Sequence, residues 1–325
     1  MSQLPALLAE VSRNGFVESR HYGLVSVTDA AGQEIASLGD TSAQMFARSS
    51  LKPLQLVAML RHGLGRFHWT PEQLALMASS HSGQPCHVEG VRAILAKVGL
   101  PETALRNTPA LPMDSAARAQ LRGDGTTKKS AIYADCSGKH AAMLATCLAN
   151  DWAIDSYCEA NHPLQEVIRT VIVEFTGDRS EHIAVDGCGA ALFSCTTVGL
   201  ARAYARLANA SDATLERAVL DAMRSNPVMV AGEGREVTAA MRAVPGLMAK
   251  DGAEGVLAAA LTTADHRNVG IAIKVVDGAA RPRAAILAAV LDSLGAVSDP
   301  ATWAETAVLG GGRVVGHIHS AFELL

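Results

Sequence analysis

The sequence lacks long apolar runs, long basic runs and an apolar leader. No stretch of its 325 residues approaches the roughly 18 consecutive apolar residues that a transmembrane helix requires. The longest basic run is Lys128-Lys129 and the formal net charge is -4, which disfavours nucleic acid or an anionic membrane as the main partner. The first 20 residues mix acidic and basic side chains, so we expect no signal peptide.

Cysteine is also sparse. The chain is large enough to bury a core without disulfides, and its six cysteines are scattered: Cys86, Cys136, Cys147, Cys158, Cys188 and Cys195. This usage is typical of a reducing compartment, where thiols serve as packing groups, metal ligands or nucleophiles. We therefore expect a cytoplasmic protein.

The hydrophobic fraction of 49% and the charged fraction of 18% are those of a globular protein. Residues 17–40 predict a β-hairpin, and residues 269–276 and 314–318 predict later strands. Helical patterns cover residues 71–79, 86–99, 139–150, 164–176, 191–208, 214–225 and 283–294.

Strands at both ends of a helical middle predict an α/β fold. In it, a mixed, mainly antiparallel sheet from both termini carries an inserted helical subdomain. We expect a single domain, with its sheet layer at approximately 1–47 and 235–325 and its helical part at approximately 48–234.

A serine and a lysine stand three residues apart in the segment Arg48-Ser49-Ser50-Leu51-Lys52-Pro53. Proline is tolerated only in the first turn of a helix, so Pro53 places Ser49 close to a helix N-terminus. On a shared and buried helix face, a neutral Lys52 amine would take the proton of the Ser49 hydroxyl as it attacks a carbonyl. The same spacing also arises by chance on surface helices.

Several further polar segments can be explained either by ordinary structure or by function. Residues 79–85 form a Ser-, Gly- and Pro-containing loop, and residues 135–141 suit either a helix cap or an anion site at a helix start. Asp186-Gly187-Cys188-Gly189 is a tight turn with a carboxylate and a thiol, and glycine-rich segments cover residues 229–235 and 249–256. His87-Val88-Glu89 matches part of the zinc deaminase signature, but the P-C-x-x-C partner is missing downstream.

Taken together, these segments resemble the rhizobial-type L-asparaginase family, also called asparaginase II. The resemblance covers nearly the whole chain and rests on ordered motifs, each of which is weak alone: residues 17–21, 48–53, 80–83, 136–140, 186–188, 229–235 and 250–256. It implies a fold similar to serine β-lactamases and serine glutaminases. It also suggests a homodimer.

The resemblance implies two serine–lysine pairs in one pocket, Ser49 with Lys52 and Ser80 with Lys250. It further implies a zinc ion near the pocket, held by two cysteines and a lysine that match Cys136, Cys188 and Lys139. Lysine is an unusual zinc ligand because it must first lose its proton. The metal is not required for the expected nucleophile.

The expected activity is hydrolysis of L-asparagine to L-aspartate and ammonia by acyl transfer from Ser49. The proton for the leaving ammonia comes from Lys52 or Lys250. Charge complementarity suggests Asp186 for the substrate α-ammonium and either Arg48 or Arg235 for its α-carboxylate, although salt bridges within the protein would explain these arginines equally well.

Two alternatives stay open at this point. A glutaminase or a broader small-amide hydrolase is the nearest rival, because asparagine and glutamine differ by one methylene, which a pocket discriminates by only ~1–3 kcal/mol. From a different class, the chain could be a catalytically silent amino-acid-binding or zinc-sensing protein. The presence of both serines and both lysines argues against that class.

Overall fold

The computed structural model describes residues 4–125, 128–263, 265–296 and 301–324. Its strands are β1 (Ala6–Arg13), β2 (Phe16–Asp29), β3 (Glu34–Leu38), β4 (Gln44–Phe46), β5 (Ile183–Val185), β6 (Ala191–Thr196), β7 (Leu247–Gly252), β8 (Val256–Thr262), β9 (Asn268–Val275), β10 (Thr306–Gly310) and β11 (Arg313–Ser320).

The α-helices occupy mainly the middle of the chain. They are α1 (Lys52–Arg61), α2 (Pro71–Met77), α3 (Pro85–Lys97), α4 (Ser115–Gly123), α5 (Ser137–Ala149), α6 (Pro163–Thr176), α7 (Thr197–Ala208), α8 (Leu215–Ser225), α9 (Pro227–Val230), α10 (Glu236–Ala243), α11 (Arg283–Ser293) and α12 (Ala301–Ala304). Among the helices of the described ranges, none is both long and apolar enough to cross a bilayer.

Strands from both ends of the chain form one antiparallel sheet, as the sequence predicted. Its order is β10-β11-β1-β2-β9-β8-β7, and β3 pairs with the second half of the long strand β2. The fold class is therefore confirmed as α/β with a mainly antiparallel sheet and a helical part between its two halves. The strands β1, β7, β8 and β10 of this sheet had not been recognised from the sequence.

A small second sheet lies within the helical part, in the order β4-β6-β5. It corrects the prediction of one helix over residues 191–208, because Ala191–Thr196 is a strand and the helix begins only at Thr197. The Thr196 hydroxyl caps that helix by accepting a hydrogen bond from the Gly199 backbone N–H. A short, completely buried apolar run has no periodicity that separates a strand from a helix.

Helix α7 packs directly on the large sheet, against β2, β8 and β9. Gly270 in β9 allows this approach, because a Cβ atom there would collide with the backbone of Ala201 and Ala205 in the helix. Backbone atoms cannot move aside as a flexible side chain can. The close packing of α7 on the sheet therefore requires a residue without a side chain at position 270.

We expect Gly270→Ala to lower the free energy of unfolding by about 1–3 kcal/mol, the usual cost of overpacking a core. Denaturant unfolding followed by circular dichroism measures the change. Gly123→Ala is the matched control, since no atom lies within 4 Å of a Cβ built at Gly123. An unfolding midpoint for Gly270→Ala equal to that of the wild type would contradict the packing argument.

Candidate active site

The predicted nucleophile lies in a strained turn at the start of α1. Arg48–Leu51 form one turn of 3₁₀ helix, and Lys52 then begins α1, with Pro53 in its first turn as predicted. Arg48 has φ of 54°, a left-handed conformation that non-glycine residues adopt rarely. Such strain at the residue before Ser49 is typical of functional sites.

Lys52 is buried, with its side chain 2% exposed, and its amine joins three segments of the chain. Nζ donates to the Ser79 carbonyl at 2.7 Å and to the Ser80 hydroxyl at 2.9 Å. The Asp135 carboxylate lies 3.7 Å from the same nitrogen. The amine therefore couples the start of α1 to the loop after α2 and to the segment that leads into α5.

The hydrogen bonds differ from the predicted serine–lysine pairs. Lys52 binds Ser80, and Lys250 donates instead to the carbonyl and the carboxylate of Asp251, both at 2.7 Å. Within the described part of the chain, no hydrogen bond joins Ser49 to Lys52 or Ser80 to Lys250. Sequence spacing places residues on a face, but it does not choose the acceptor that a long lysine side chain reaches.

The loop that carries Ser80 is held by backbone and side-chain hydrogen bonds. Ser80 N–H donates to the Val230 carbonyl, and His81 N–H donates to that of Asp135. The His81 ring is completely buried, which lowers its pKa well below the ordinary value. The neutral ring accepts from Gly83 N–H and donates to the Ser137 hydroxyl.

A second cluster contains two thiols, an amine and an imidazole. The ligand atoms of Cys136, His140 and Cys188 lie within 4.8 Å of one another, and all three residues are buried. Lys139 Nζ donates to Cys188 Sγ at 3.1 Å. The structure thus brings the three predicted zinc ligands together and adds His140, which the sequence analysis missed although its i,i+4 spacing from Cys136 places both on one side of α5.

The two thiols and the amine of this cluster shift one another's pKa values. The contact between the two cysteines raises the pKa of Cys136 and lowers that of Cys188, so one sulfur of the pair carries the negative charge. Burial opposes the charged form of Lys139, but the neighbouring sulfurs raise its pKa above the ordinary value. The protein alone therefore favours a Cys188 thiolate beside a Lys139 ammonium.

Asp186 links the thiol cluster to the turn that carries Ser49. Its Oδ1 accepts from Arg48 Nε at 2.8 Å, and its Oδ2 lies 3.5 Å from Cys188 Sγ. The Arg48 and Asp186 side chains retain 22% and 14% exposure, so both reach solvent. Beside Arg48 opens a cavity of about 490 Å³ lined by Gln44, Met45, Phe46, Ala184, Val185, Leu192, Glu254 and Lys274.

Arg235 forms a salt bridge within the protein, which is the alternative to substrate binding that the sequence left open. Its Nη2 donates to Asp251 Oδ2 at 2.7 Å, and its Nη1 lies 3.4 Å from the Ser82 hydroxyl. Arg235 therefore connects the segment after Ser80 to the strand that carries Lys250. Through these contacts the side chains of Lys250, Asp251 and Arg235 form one connected group next to the loop of Ser80.

Several solved structures are similar to this chain at low identity. The native form of Mglu has 13% identity and a TM-score of 0.43, over 85% of this chain and 66% of that one. The Bacillus subtilis glutaminase YbgJ, in covalent complex with 5-oxo-L-norleucine, has 13% identity and a TM-score of 0.41, over 90% and 94% of the two chains. A Bacillus glutaminase in 4.3 M NaCl has 14% identity and a TM-score of 0.33, over 78% and 83%. TM-scores this low assign neither a site nor an activity.

A search of curated proteins found no match. The family model of L-asparaginase II, in contrast, matches residues 9–320. That range includes every strand and helix that contributes to the clusters around Lys52 and Cys188, and it supports an amidase-type enzyme. Because the match runs over nearly the entire sequence, the chain belongs to the L-asparaginase II family.

Proposed function

We propose that the protein hydrolyses L-asparagine to L-aspartate and ammonia by acyl transfer through Ser49. The observation that carries the proposal is the buried Lys52 amine, which begins α1 directly after the strained turn of Ser49 and hydrogen-bonds the Ser80 hydroxyl. A buried amine that is hydrogen-bonded to a hydroxyl can act as the base for an alcohol nucleophile. Membership of the asparaginase family supports the reaction class.

In the first step the Ser49 oxygen attacks the side-chain amide carbon, and its proton passes to a neutral Lys52. The carbon–nitrogen bond then breaks, and a proton from Lys52 or Lys250 leaves with ammonia. Water next hydrolyses the β-aspartyl ester and regenerates the Ser49 hydroxyl. Ser80 holds the Lys52 amine in place through its 2.9 Å hydrogen bond, which replaces the direct pairing with Lys250 that the resemblance implied.

Arg48 and Asp186 are the residues that we assign to the amino-acid end of the substrate. The Asp186 carboxylate suits an α-ammonium, and the remaining guanidinium donors of Arg48 suit an α-carboxylate. The two are hydrogen-bonded to each other and partly exposed, and Arg48 directly precedes Ser49 and lines the 490 Å³ cavity. Arg235 is left out of this assignment because Asp251 already occupies its guanidinium.

The thiol cluster suits a zinc ion by the chemistry of its donors. His140 Nε2 is buried without a hydrogen-bond partner in the described structure, although the sulfurs of Cys136 and Cys188 lie within 4.8 Å of the imidazole ligand atom. We assign the two sulfurs, with Lys139 and His140 as nitrogen donors, to such an ion. Zinc, when bound, would supply a positive centre that orients an oxygen-bearing group.

The homodimer and the cytoplasmic location stay predictions.

The first test is ammonia release by Ser49 and Ser80 variants. We expect wild-type kcat/KM to be higher for L-asparagine than for L-glutamine. Ser49→Ala should lose at least about 10³-fold of the activity because it lacks the nucleophile. Ser80→Ala should lose ~10²-fold because the base is no longer held.

Ser42→Ala is the control for these variants, since Ser42 is exposed in the segment just before this turn and should be replaceable without loss. Circular dichroism checks that all three variants are folded. Near-normal turnover of Ser49→Ala together with an inactive Ser80→Ala would reverse the two roles. A preference for glutamine would replace the substrate but not the mechanism.

The pH dependence follows from Lys250. Burial lowers the pKa of Lys250 to about 8 against the opposing effect of Asp251, and the charge of Lys52 acts in the same direction as burial. The neutral Lys250 amine can act as a base at this site, whereas its ammonium cannot. We therefore expect kcat/KM to rise with pH and to level off above about 8. A profile that is flat down to pH ~5, well below the operating range expected of an amine base, would contradict this account.

The metal assignment predicts close to one zinc per chain in untagged protein grown with zinc, measured by elemental analysis. Cys136→Ser should lose most of it, because a hydroxyl is a poor replacement for a thiolate ligand. Cys86→Ser, at an exposed thiol, is the matched control and should keep the metal. Chelation or Cys188→Ser should raise KM more than it lowers kcat. Zinc-free wild-type protein with unchanged kinetics after metal is added back would refute the assignment.

A further inference from the structure

Lys250 is the first of a row of charged side chains that continues through Asp251 to Arg235. Lys250 is completely buried, and both oxygens of the Asp251 carboxylate are engaged: Oδ1 by Lys250 Nζ and Oδ2 by Arg235 Nη2, each at 2.7 Å. Adjacent residues of a strand ordinarily point to opposite faces. Here the long Lys250 side chain returns to the carboxylate of its own neighbour, which limits the positions that its amine can take.

The row continues to the loop of Ser80. Arg235 Nη1 lies 3.4 Å from the Ser82 hydroxyl, which itself donates to the Ala231 carbonyl at 2.8 Å. Ser80, two residues earlier, accepts the hydrogen bond of Lys52. Asp251 and Arg235 therefore connect Lys250 to the loop of residues 80–82, and the Ser80 end of that loop contacts Lys52.

A second arginine fixes the strand that carries this row. Arg283, at the start of α11, donates through Nη1 to the carbonyls of Gly252 and Val256 at 2.8 and 3.2 Å. Its Nη2 lies 2.5 Å from Glu236 and 3.8 Å from Asp251 Oδ2. These contacts hold the turn between β7 and β8, so the Asp251 carboxylate has a defined position relative to the strand.

The balance of charge favours a functional explanation over simple packing. With Lys250 protonated, two buried cations, Lys250 and Arg283, and the half-buried Arg235 contact only two carboxylates, those of Asp251 and Glu236. Loss of the Lys250 proton brings the net charge of these five side chains to zero. Apolar residues would pack the same space without the desolvation cost of buried charges.

We propose that Asp251 and Arg235 are positioning residues that hold the Lys250 amine in its working place, Arg235 by anchoring Asp251 to the loop of Ser80. The proposal rests on the proposed function, in which Lys250 acts beside Lys52. In this proposal Arg235 binds Asp251 and does not bind the substrate carboxylate.

The sign of each neighbour's effect makes the proposal testable. The charged or titratable groups that act on Lys250 are Asp251 on its own strand, Lys52 on α1 and Arg235 just before α10. Tyr204 on α7, Glu236 on α10 and Arg283 on α11 surround its partner Asp251. Asp251 raises the pKa of Lys250, whereas Lys52 and Arg235 lower it. Removing Asp251 or Arg235 should therefore move the titration of Lys250 in opposite directions, which a general loss of packing would not do.

The experiment measures kcat/KM for L-asparagine against pH in Asp251→Asn and Arg235→Met. We expect the rise of kcat/KM with pH to occur at lower pH in Asp251→Asn and at higher pH in Arg235→Met. In both variants the plateau of kcat/KM should lie ~10–100-fold below that of the wild type, because the amine is less well placed. Arg235→Lys keeps the charge and should leave this rise near its wild-type position. Arg242→Met, which removes an exposed arginine paired with Glu233, is the control and should change neither quantity.

A second readout separates this proposal from the proposed function. Lysine labelled with ¹³C reports the titration of Lys250 by NMR without any substrate, and Lys250→Met identifies its signal. A wild type that releases no ammonia from L-asparagine refutes the proposed function, and the NMR midpoints then decide whether the two residues control Lys250. Midpoints that are unmoved, or that move in the same direction in Asp251→Asn and Arg235→Met, overturn the proposal. If Asp251→Asn does not fold, the comparison of Arg235→Met with Arg235→Lys decides alone.

Discussion

The candidate site depends on the burial of the Lys52 amine among oxygen acceptors. Water is excluded from its side chain, so the Ser79 carbonyl, the Ser80 hydroxyl and the nearby Asp135 carboxylate must take the place of solvent. Each acceptor comes from a segment distant in sequence from α1. Satisfying one buried nitrogen therefore requires that α1, the loop after α2 and the start of α5 be packed in one arrangement.

The same constraint recurs at the other two buried lysines. Lys139 meets Cys188, which the fold brings to it from a distant segment, and Lys250 meets the carboxylate of its own sequence neighbour Asp251. Asp135 stands next to Cys136 in the chain, and Asp186 connects Cys188 to Arg48. The three lysine environments are thus coupled, and a change of charge in one alters the field at the others. Such coupling is useful in a reaction that moves a proton from a serine to a base and on to a leaving group.

The sequence predicted the parts of this arrangement that depend on local rules. Pro53 located the start of α1, and strand-like patterns near both termini predicted a shared antiparallel sheet. The strand Ala191–Thr196 was mistaken for helix because a short buried run has no diagnostic period. The acceptor of each lysine could not be predicted, since it depends on tertiary contacts: Ser80 for Lys52, and Asp251 with Arg235 behind it for Lys250. His140 was missed because one imidazole near a cysteine in sequence carries no signal until Cys188 is placed beside it.

The central claim is that Ser49 carries the acyl group while Lys52 serves as its base. Acid quenching of the enzyme during turnover of L-asparagine, followed by proteolysis and mass spectrometry, detects a β-aspartyl ester and locates it in the chain. The account predicts the ester on Ser49, in the peptide that precedes α1, and none in the Ser49→Ala variant. An ester found on Ser80, or one that persists in Ser49→Ala, would contradict it.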